Sequence, residues 1–369
     1  MRRVGIGGFG LTKFNKDDVS IESLILSSVK SLFDDSTNLT QKDIDVVLTS
    51  TNDNSKYLAN ITSELAGISP KISHTVESLC NSGANSIVSA FSYIASGLAD
   101  VALVVGAEKF DNPGLVLEWD MSRGQYKHPV YWSSMFTRAH MRKYGTTMED
   151  LAIVSARNHK NALENPHAYF DKEYSVEEIM HSKNITDDVR ILDCSFPCNG
   201  SAAILLASEE SIKKFTDCPV WLTGLGQKTI SAGFTKNEDL TSMKSTKYAS
   251  NAAYTMSKKE PRDIDVAEVH DAFSICEIIE LEDLGFVEKG NGNQFVKTMY
   301  ETQDKKVNPR GGLLGSGHPL GATGIAQVVE ISQQLQNKAG KRQVEGAKVG
   351  LVQNMSAAAT SSTVLIFES

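Results

Sequence analysis

The sequence predicts an α/β protein assembled from two copies of one folding unit. Short aliphatic runs alternate with segments in which apolar residues recur at helical spacing, which is typical of strands alternating with helices. Three segments of the first half recur in the second half in the same order, which indicates an internal duplication. The paired segments are 43–46 with 263–266, 83–87 with 321–325, and 101–105 with 349–352.

The repeat divides the 369 residues into a first half, 1–220, and a second half, 221–369. A segment of about 110–188 does not fit the repeat and contains many aromatic, histidine and charged residues. A long insertion of this kind is more often functional than a structureless linker. Its notable side chains are Trp119, Tyr126, His128, Tyr131, Trp132, His140 and His159.

Cys80 is the most informative single residue, because a strand-like run ends at it and a helix follows. The apolar residues behind it recur at helical spacing, and Gly97 is placed to end the helix. A cysteine at a helix N-terminus feels the positive end of the macrodipole, which lowers the thiol pKa toward neutrality. Cys80 is therefore a candidate covalent nucleophile. The segment alone also allows a buried, inert cysteine.

A glycine-rich segment near the C-terminus, 308–324, presents His318 beside a proline. It holds six glycines and no lysine, so it lacks the Gly-Lys-Ser/Thr of a phosphate-binding P-loop. The repeat places Cys80 and His318 at equivalent strand-to-helix turns of the two halves. The alternative is a structural turn with an incidental histidine.

His270 lies in a third segment, 265–273, where a strand-like stretch leads into another helix. The apolar spacing predicts that this helix ends near Gly285. Asp271 is able to cap the helix, and this role is compatible with a catalytic role for its neighbour His270.

Two other motifs are misleading. Residues 5–10 match G-x-G-x-x-G, but 11–18 are polar and aperiodic and the first helix is expected near Ser20, so no dinucleotide site is predicted. Cys194 and Cys198 form a C-x3-C pair without a second pair to complete a zinc site, and an apolar strand-like run follows them. We expect core packing there and no bound metal.

Composition narrows the class of protein. The net charge of −8 argues against general nucleic-acid binding, and no apolar run approaches the length of a membrane helix. The N-terminus has no signal-peptide pattern. Five cysteines without disulfide-like spacing favour a reducing compartment, so a cytoplasmic location is expected.

Three motifs taken together resemble the thiolase superfamily over nearly the whole chain. Residues 80–82 (Cys-Asn-Ser) are similar to its nucleophile motif, and 317–319 to its Gly-His-Pro motif. Residues 270–273 (His-Asp-Ala-Phe) occupy the place of its Asn-Glu-Ala-Phe motif, in the form typical of sterol-carrier-type and archaeal thiolases. The resemblance implies a thiolase fold with five layers, αβαβα, a substrate-covering loop domain at about 110–188, and a homodimer or homotetramer.

The resemblance also implies an activity, acetyl-CoA C-acetyltransferase, with coenzyme A as co-substrate and no permanently bound cofactor. His318 would take the proton of Cys80, and the thiolate would attack the keto carbonyl of acetoacetyl-CoA. Acetyl-CoA would leave, and CoA would release the acyl group from Cys80; the reverse is condensation. His318 and His270 would form one oxyanion hole, and the backbone N–H groups of Cys80 and Ser356 the other. Gly317 and Asn354 are expected to contact substrate.

The chain departs from the family pattern at the second acid/base. Many thiolases carry a second cysteine in a C-terminal Cys-x-Gly motif, where residues 354–356 read Asn-Met-Ser here. Sterol-carrier-type enzymes carry it in the His-Asp motif, where this chain has Ala272. His270 and Cys276 are the candidates for the second proton carrier.

Two alternatives remain open beside the thiolase. The first is a sterol-carrier-type retro-aldolase acting on a β-hydroxyacyl-CoA, which needs no cysteine nucleophile. The second is a non-catalytic, thiolase-like scaffold subunit. Archaeal thiolases that this chain resembles assemble with hydroxymethylglutaryl-CoA synthase and a small zinc-ribbon/OB-fold protein, so these are the partners implied.

Overall fold

The computed structural model describes residues 1–53, 55–110, 128–233 and 236–369. Trp119 and Tyr126 of the insertion lie outside these ranges. Within them, no helix combines the length and the apolar character needed to cross a membrane.

Strands and helices alternate along both halves of the chain. The strands are β1 (Val4–Leu11), β2 (Val46–Ser50), β3 (Ile72–Val76), β4 (Val101–Glu108), β5 (Asn184–Thr186), β6 (Val189–Arg190), β7 (Gly200–Ser208), β8 (Val220–Thr229), β9 (Val266–Glu268), β10 (Val349–Ser356) and β11 (Ser361–Glu368). The helices are α1 (Ile21–Asp35), α2 (Leu58–Leu65), α3 (Ser82–Ala95), α4 (Pro129–Tyr144), α5 (Met148–Ala162), α6 (Val176–Met180), α7 (Lys244–Ser257), α8 (Ser274–Asp283), α9 (Gly292–Thr302), α10 (Gly312–Ser316) and α11 (Leu320–Leu335).

Sheet topology shows the duplication directly. Hydrogen-bonded neighbours run β3-β2-β4-β7-β1 in the first half and continue as β8-β11-β10-β9 in the second. Val307 adds a single parallel bridge to Ala267 of β9. If the Val307 bridge is counted as a one-residue strand, each strand of the first half has a counterpart in the second half, in the equivalent place in the sheet. The halves join where β1 pairs with β8 over two residue pairs, Gly5 with Trp221 and Ile6 with Val220.

The helices form three layers around the two halves of the sheet. Helices α3 and α11 contact each other and lie between the halves, α3 against β2 and β4, α11 against β4, β9 and β10. Helices α1 and α2 cover the outer face of the first half, and α7 covers the outer face of the second, with α8 packed beside it. The α/β class and the layered fold expected from the sequence are confirmed. The insertion supplies α4, α5 and α6, of which α5 packs against α8 and α10.

Glycines allow the two central helices to meet backbone to backbone. A Cβ added to Gly324 would lie 2.6 Å from the backbone nitrogen of Ala84, and one added to Gly83 would lie 3.0 Å from the carbonyl oxygen of Gly321. Any side chain at these positions would push the helix N-termini apart. The close approach brings the residues that precede each helix into one place.

The structure bears on two sequence-based expectations, one about the turn after β1 and one about the segment before His318. The G-x-G-x-x-G match lies inside β1, and α1 begins only at Ile21, with Ser20 as its N-cap, so no helix opens at the last glycine of the match as a dinucleotide site would require. The expectation that a strand leads into His318 is wrong. The one-turn helix α10 precedes it, and the Val307 bridge is all that represents the strand, since the glycine-rich chain folds back under α5.

Candidate active site

Three side chains from separate segments converge between the halves. Cys80 lies in a 3₁₀ turn, Leu79–Asn81, before α3; His270 follows β9; and His318 precedes α11. The Cys80 sulfur and one ring nitrogen of each histidine lie within 4.8 Å of one another. The imidazole centroids are 5.1 Å apart, with the rings nearly perpendicular at 84°. All three residues are buried.

The turn that carries Cys80 is fixed by hydrogen bonds from both halves. Leu79 has a φ of +51°, a left-handed conformation that is unfavourable for leucine. Ser82 compensates on one side, because its hydroxyl accepts from the Ser78 N–H at 2.7 Å and donates to the Leu79 carbonyl at 2.6 Å. From the second half, the Ser356 hydroxyl donates to the Ser78 carbonyl at 2.6 Å. The sulfur is therefore positioned by a strained but over-determined turn.

The hydrogen bonds of His318 define which ring nitrogen is protonated. Its Nδ1 lies 2.7 Å from the Thr323 hydroxyl, which also lies 3.0 Å from the Pro319 carbonyl. A carbonyl only accepts, so the hydroxyl donates its single proton there and must accept from Nδ1–H. The Nε2 atom of His318 is then unprotonated, and it has no hydrogen-bond partner among the described residues. Its free lone pair is available to a thiol or a substrate proton.

The hydrogen bonds of His270 define the opposite state. The Gln327 amide nitrogen donates to the carbonyls of Val269 and Gln353, so its oxygen faces Asn354 and accepts at 2.7 Å. The Asn354 amide nitrogen also contacts His270 Nδ1 at 3.1 Å, and because that nitrogen only donates, Nδ1 accepts. Neutral His270 thus carries its proton on Nε2 and serves as a hydrogen-bond donor.

We expect Thr323→Val to slow turnover by roughly tenfold to a hundredfold. Valine has a similar shape but cannot accept from Nδ1–H, so the tautomer that frees Nε2 of His318 loses its support. Steady-state kinetics would show the loss in kcat with little change in the unfolding midpoint. Thr360→Val, at a part-buried threonine outside the trio's hydrogen bonds, is the matched control. An unchanged kcat in Thr323→Val would contradict the tautomer assignment.

The loop before His318 is held by a buried carboxylate. Asp271 accepts hydrogen bonds from the backbone N–H groups of Leu313 and Leu314, at 2.6 and 3.2 Å. The Asn158 side chain donates to the same carboxylate at 2.7 Å. Asp271 therefore caps α10 rather than the helix that follows it in sequence, and it links the His270 segment to the His318 loop.

Burial favours the uncharged form of all three groups. Burial, with the Glu108 carboxyl second, raises the pKa of Cys80 to about 12. Burial and the Arg310 charge lower the pKa of His318 to about 3. Burial, His318 and Arg310 lower the pKa of His270 well below its usual value. The expectation of a lowered thiol pKa is wrong, because desolvation outweighs the helix dipole. The resting pair is a thiol beside a neutral imidazole.

The carboxyl group of Glu108 makes the ionisation of Cys80 depend on pH, and this dependence is testable. This carboxyl accepts from the N–H groups of Asn52 and Gly321 at 3.0 and 2.9 Å, and burial raises its pKa to about 7. Above pH 7 the ionised carboxylate opposes ionisation of Cys80; below pH 6 it is mostly protonated and does not. We therefore expect Glu108→Gln to speed iodoacetamide alkylation of Cys80 at pH 8.5 by roughly threefold to tenfold, and little at pH 5.5.

Peptide mapping of the alkylated cysteine at both pH values would check this expectation. Glu64→Gln, on the surface of α2, is the control for charge removal in the same half. Equal acceleration at both pH values would contradict an effect of the Glu108 charge.

The backbone N–H groups that act on the Cys80 sulfur are those of Cys80 itself and Ala357, and both favour the thiolate. The expected donor, Ser356, is adjacent to Ala357, and its side chain braces the turn before Cys80. The role of the Ser356 N–H stays a prediction. Ala357 was not anticipated, since nothing in a run of alanines distinguishes one N–H from the next.

The remaining candidate residues lie around the trio rather than in it. Gly317 has a φ of +88°, and a Cβ there would lie 2.8 Å from the Cys198 sulfur, so it packs the loop. Asn354 is buried behind His270. Cys276 is fully buried in α8. Burial raises the pKa of its thiol, and Glu280 and Cys194 add to the increase. Contact of Gly317 or Asn354 with substrate stays a prediction.

Thr323 and Gln327 were missed from the sequence. Thr323 carried a usable signal, because a hydroxyl one helical turn after Pro319 is within reach of the His318 ring. No sequence signal indicated Gln327, since its role in orienting Asn354 depends on contacts with a distant strand.

A cavity of about 400 Å³ opens onto the trio. Its walls are chiefly apolar, and His128 and Trp132 of the insertion contribute to them. A site of this size and character suits a small, mostly uncharged organic group. Other lining residues are Val130, Phe196, Phe273, Leu320 and Met355.

The trio is also the one group of three metal-ligating side chains close enough to share an ion within the described ranges. A metal would need a lone pair on each nitrogen. The contact from Asn354 keeps the proton of His270 on Nε2, so the arrangement fits proton transfer better than metal binding.

Comparison with known proteins agrees with this geometry. Residues 4–210 match the family model "Thiolase, N-terminal domain", and 226–369 match "Thiolase C-terminal domain-like". The chain is 37% identical over 384 residues to acetyl-CoA acetyltransferase of Methanothermobacter thermautotrophicus, covering 100% of both chains. It is 38% identical over 304 residues to sterol carrier protein 2 of Bos taurus, covering 76% of this chain and 56% of that protein.

Solved structures share the fold. The chain superposes on the "Ltp2-ChsH2(DUF35) aldolase" with a TM-score of 0.87 and 23% identity, covering 98% of this chain and 97% of that one. It superposes on acetyl-CoA acetyltransferase from Syntrophomonas wolfei with a TM-score of 0.76 and 18% identity, covering 100% and 99%. Two family models in register with the two halves, and a full-length relative above 30% identity, establish that the chain belongs to the thiolase family.

Proposed function

We propose that this acyltransferase of the thiolase family is an acetyl-CoA C-acetyltransferase, which interconverts acetoacetyl-CoA plus CoA and two molecules of acetyl-CoA through an acyl group on Cys80. One observation carries the proposal: the Cys80 sulfur and one ring nitrogen of each histidine lie within 4.8 Å of one another, and the hydrogen bonds leave His318 Nε2 with a free lone pair and His270 Nε2 with a proton. These are a nucleophile, a base and an oxyanion donor.

In the direction of cleavage, His318 Nε2 accepts the Cys80 proton as the sulfur attacks the keto carbonyl. Burial raises the pKa of the Cys80 thiol, which favours transfer of its proton to His318 as the attack occurs. The backbone N–H groups of Cys80 and Ala357, which act on the Cys80 sulfur, are our candidates to stabilise the oxygen of the tetrahedral intermediate. Collapse breaks the bond between the α and β carbons and leaves an acetyl group on Cys80.

The enolate of acetyl-CoA is the other product of that step. Its oxygen develops negative charge, and His270 Nε2–H is the preformed donor that supports it. A donor of this kind is typically worth about 10²–10³ in rate. Burial increases its effect, because a dry site screens charge less than water does.

The choice of acetoacetyl-CoA follows from the relatives named acetyl-CoA acetyltransferase, at 37% and 35% identity over nearly the whole chain. CoA acts as co-substrate, and the proposed chemistry needs no bound cofactor. We place the reaction in the cytoplasm.

A second candidate is aldol cleavage of a β-hydroxyacyl-CoA, favoured by the likeness to the aldolase structure with its TM-score of 0.87. That structure's title also names a DUF35 partner. We propose a small partner of that class, hydroxymethylglutaryl-CoA synthase as a second partner, and a homodimer or homotetramer of this chain. Co-purification and light scattering would test these assemblies.

The purified protein tests the main proposal directly. We expect CoA-dependent loss of the acetoacetyl-CoA enolate absorbance, and acetyl-CoA as the sole product. A β-hydroxyacyl-CoA incubated without CoA should remain intact. Cleavage of the hydroxyacyl substrate, with no CoA-dependent thiolysis, would reverse the assignment. Inactivity that is restored by the DUF35-type partner would make the partner part of the functional enzyme.

A further inference from the structure

No side chain of this site is an evident second proton carrier. Cleavage requires a proton on the α-carbon of departing acetyl-CoA, and condensation requires its removal. Among described histidine, cysteine and acidic residues, only Cys80, His270 and His318 form the close group. Cys80 is occupied by the acyl group when the α-proton moves, so within this close group a histidine is left to move it.

His270 is unsuited to this transfer. The Asn354 amide donates to its Nδ1, and the amide is itself oriented by Gln327, whose nitrogen is bound by two backbone carbonyls. Neutral His270 therefore presents only an N–H to the cavity. Taking a second proton would require Nδ1 and the Asn354 nitrogen, both donors, to face each other in a buried site.

The cysteines near the trio are also unsuited. Cys276 is fully buried and does not line the cavity. Cys194 lines the cavity, but its thiol donates to the Arg190 carbonyl at 3.3 Å and is held by that contact. Burial raises the pKa of both thiols. Neither presents a poised base to a substrate carbon.

We infer that His318 is the single proton carrier of both half-reactions, taking a proton through the same Nε2 atom each time. This inference rests on the proposed function. Its support is that this nitrogen has a free lone pair and is buried, and that one ring nitrogen of His318 lies within 4.8 Å of the Cys80 sulfur and of a ring nitrogen of His270. A second base is unnecessary, because each half-reaction uses one proton and regenerates neutral His318.

In the first half-reaction, His318 takes the proton from the Cys80 thiol, the sulfur bonds to the keto carbon, and the bond between the α and β carbons breaks. The electron pair of that bond becomes the enolate, whose α-carbon takes the proton from His318. In the second, His318 takes the proton from the CoA thiol, the CoA sulfur bonds to the acetyl carbon, and the carbon–Cys80 bond breaks. The Cys80 thiolate then takes the proton.

Deuterium exchange at the α-carbon of acetyl-CoA isolates this role from acyl transfer. Cys80→Ala cannot form an acyl-enzyme, but it retains His318 and His270. We expect the variant to exchange the methyl protons of acetyl-CoA in D₂O, measured by mass spectrometry. Adding His318→Gln should lower the exchange rate by roughly 10²-fold or more. Adding His181→Gln, at a surface histidine of the insertion, should not change it.

Further variants in the Cys80→Ala background make the test decisive even if His318→Gln folds poorly. Cys276→Ala and Cys194→Ala should each retain the exchange, and a loss in either would overturn the inference. His270→Gln keeps an N–H donor, so its exchange should exceed that of His318→Gln when circular dichroism shows both folded. Exchange that survives His318→Gln would also overturn it. A wild type that exchanges but does not cleave acetoacetyl-CoA would refute the proposed function alone.

Discussion

Replacing Cys80 with alanine is expected to abolish CoA-dependent cleavage of acetoacetyl-CoA, by roughly 10⁴-fold or more. The change removes the nucleophile and with it the covalent intermediate, while His318 and His270 stay in place. Initial rates at saturating CoA would measure the loss. Intact mass after quenching should show one added acetyl group on the wild type incubated with acetyl-CoA and none on Cys80→Ala.

Cys218→Ala is the matched control, because Cys218 is the exposed free cysteine among the described residues. It should keep both the rate and the acetyl adduct. If Cys80→Ala retained cleavage, or if the adduct mapped to another cysteine, the acyl-Cys80 mechanism would be wrong. The assay also separates a thiolase from an aldolase, since aldol cleavage needs no cysteine nucleophile.

Replacing Asp271 with alanine is expected to produce a large loss of stability, about 3–9 kcal/mol. The carboxylate is fully buried and accepts from the backbone of Leu313 and Leu314 and from the side chain of Asn158. Removing it leaves three buried donors without an acceptor, at about 1–3 kcal/mol each. Urea unfolding, followed by circular dichroism, would give the free energy of unfolding.

Two controls make the Asp271 result interpretable. Asp217→Ala, at an exposed aspartate, should change the free energy of unfolding by less than about 0.5 kcal/mol. Asp271→Asn keeps one acceptor oxygen and should fall between alanine and the wild type. If Asp271→Ala unfolded like the wild type, the carboxylate would not be what holds the His318 loop.

The architecture was accessible from sequence because it depends on repetition. Two short repeats flanking Cys80 and His318 place both residues before quasi-equivalent central helices, α3 and α11. Because the two halves are duplicates, Cys80 and His318 are expected to face each other across the layer of central helices between the two halves of the sheet. The strand before His318 was mispredicted because a glycine-rich run folds back as α10 and contributes only the Val307 bridge.

The protonation states were not accessible from sequence. A local argument from the helix dipole gives the wrong direction for the pKa of Cys80, because burial by both halves dominates. The state of His270 depends on Asn354 and Gln327, which are 84 and 57 residues away and meet it only in the folded chain. Sequence identifies which residues are able to move protons, but contacts across the fold decide which one donates and which one accepts.

The backbone contact between the N-termini of α3 and α11 makes the candidate site a joint product of the two halves of the chain. Cys80 and its bracing turn belong to one half; the proposed base His318, the proposed oxyanion donor His270 and the Ser356 brace belong to the other. On the proposed mechanism neither half holds a complete catalytic set, so the two halves depend on each other as the two subunits of a heterodimer do.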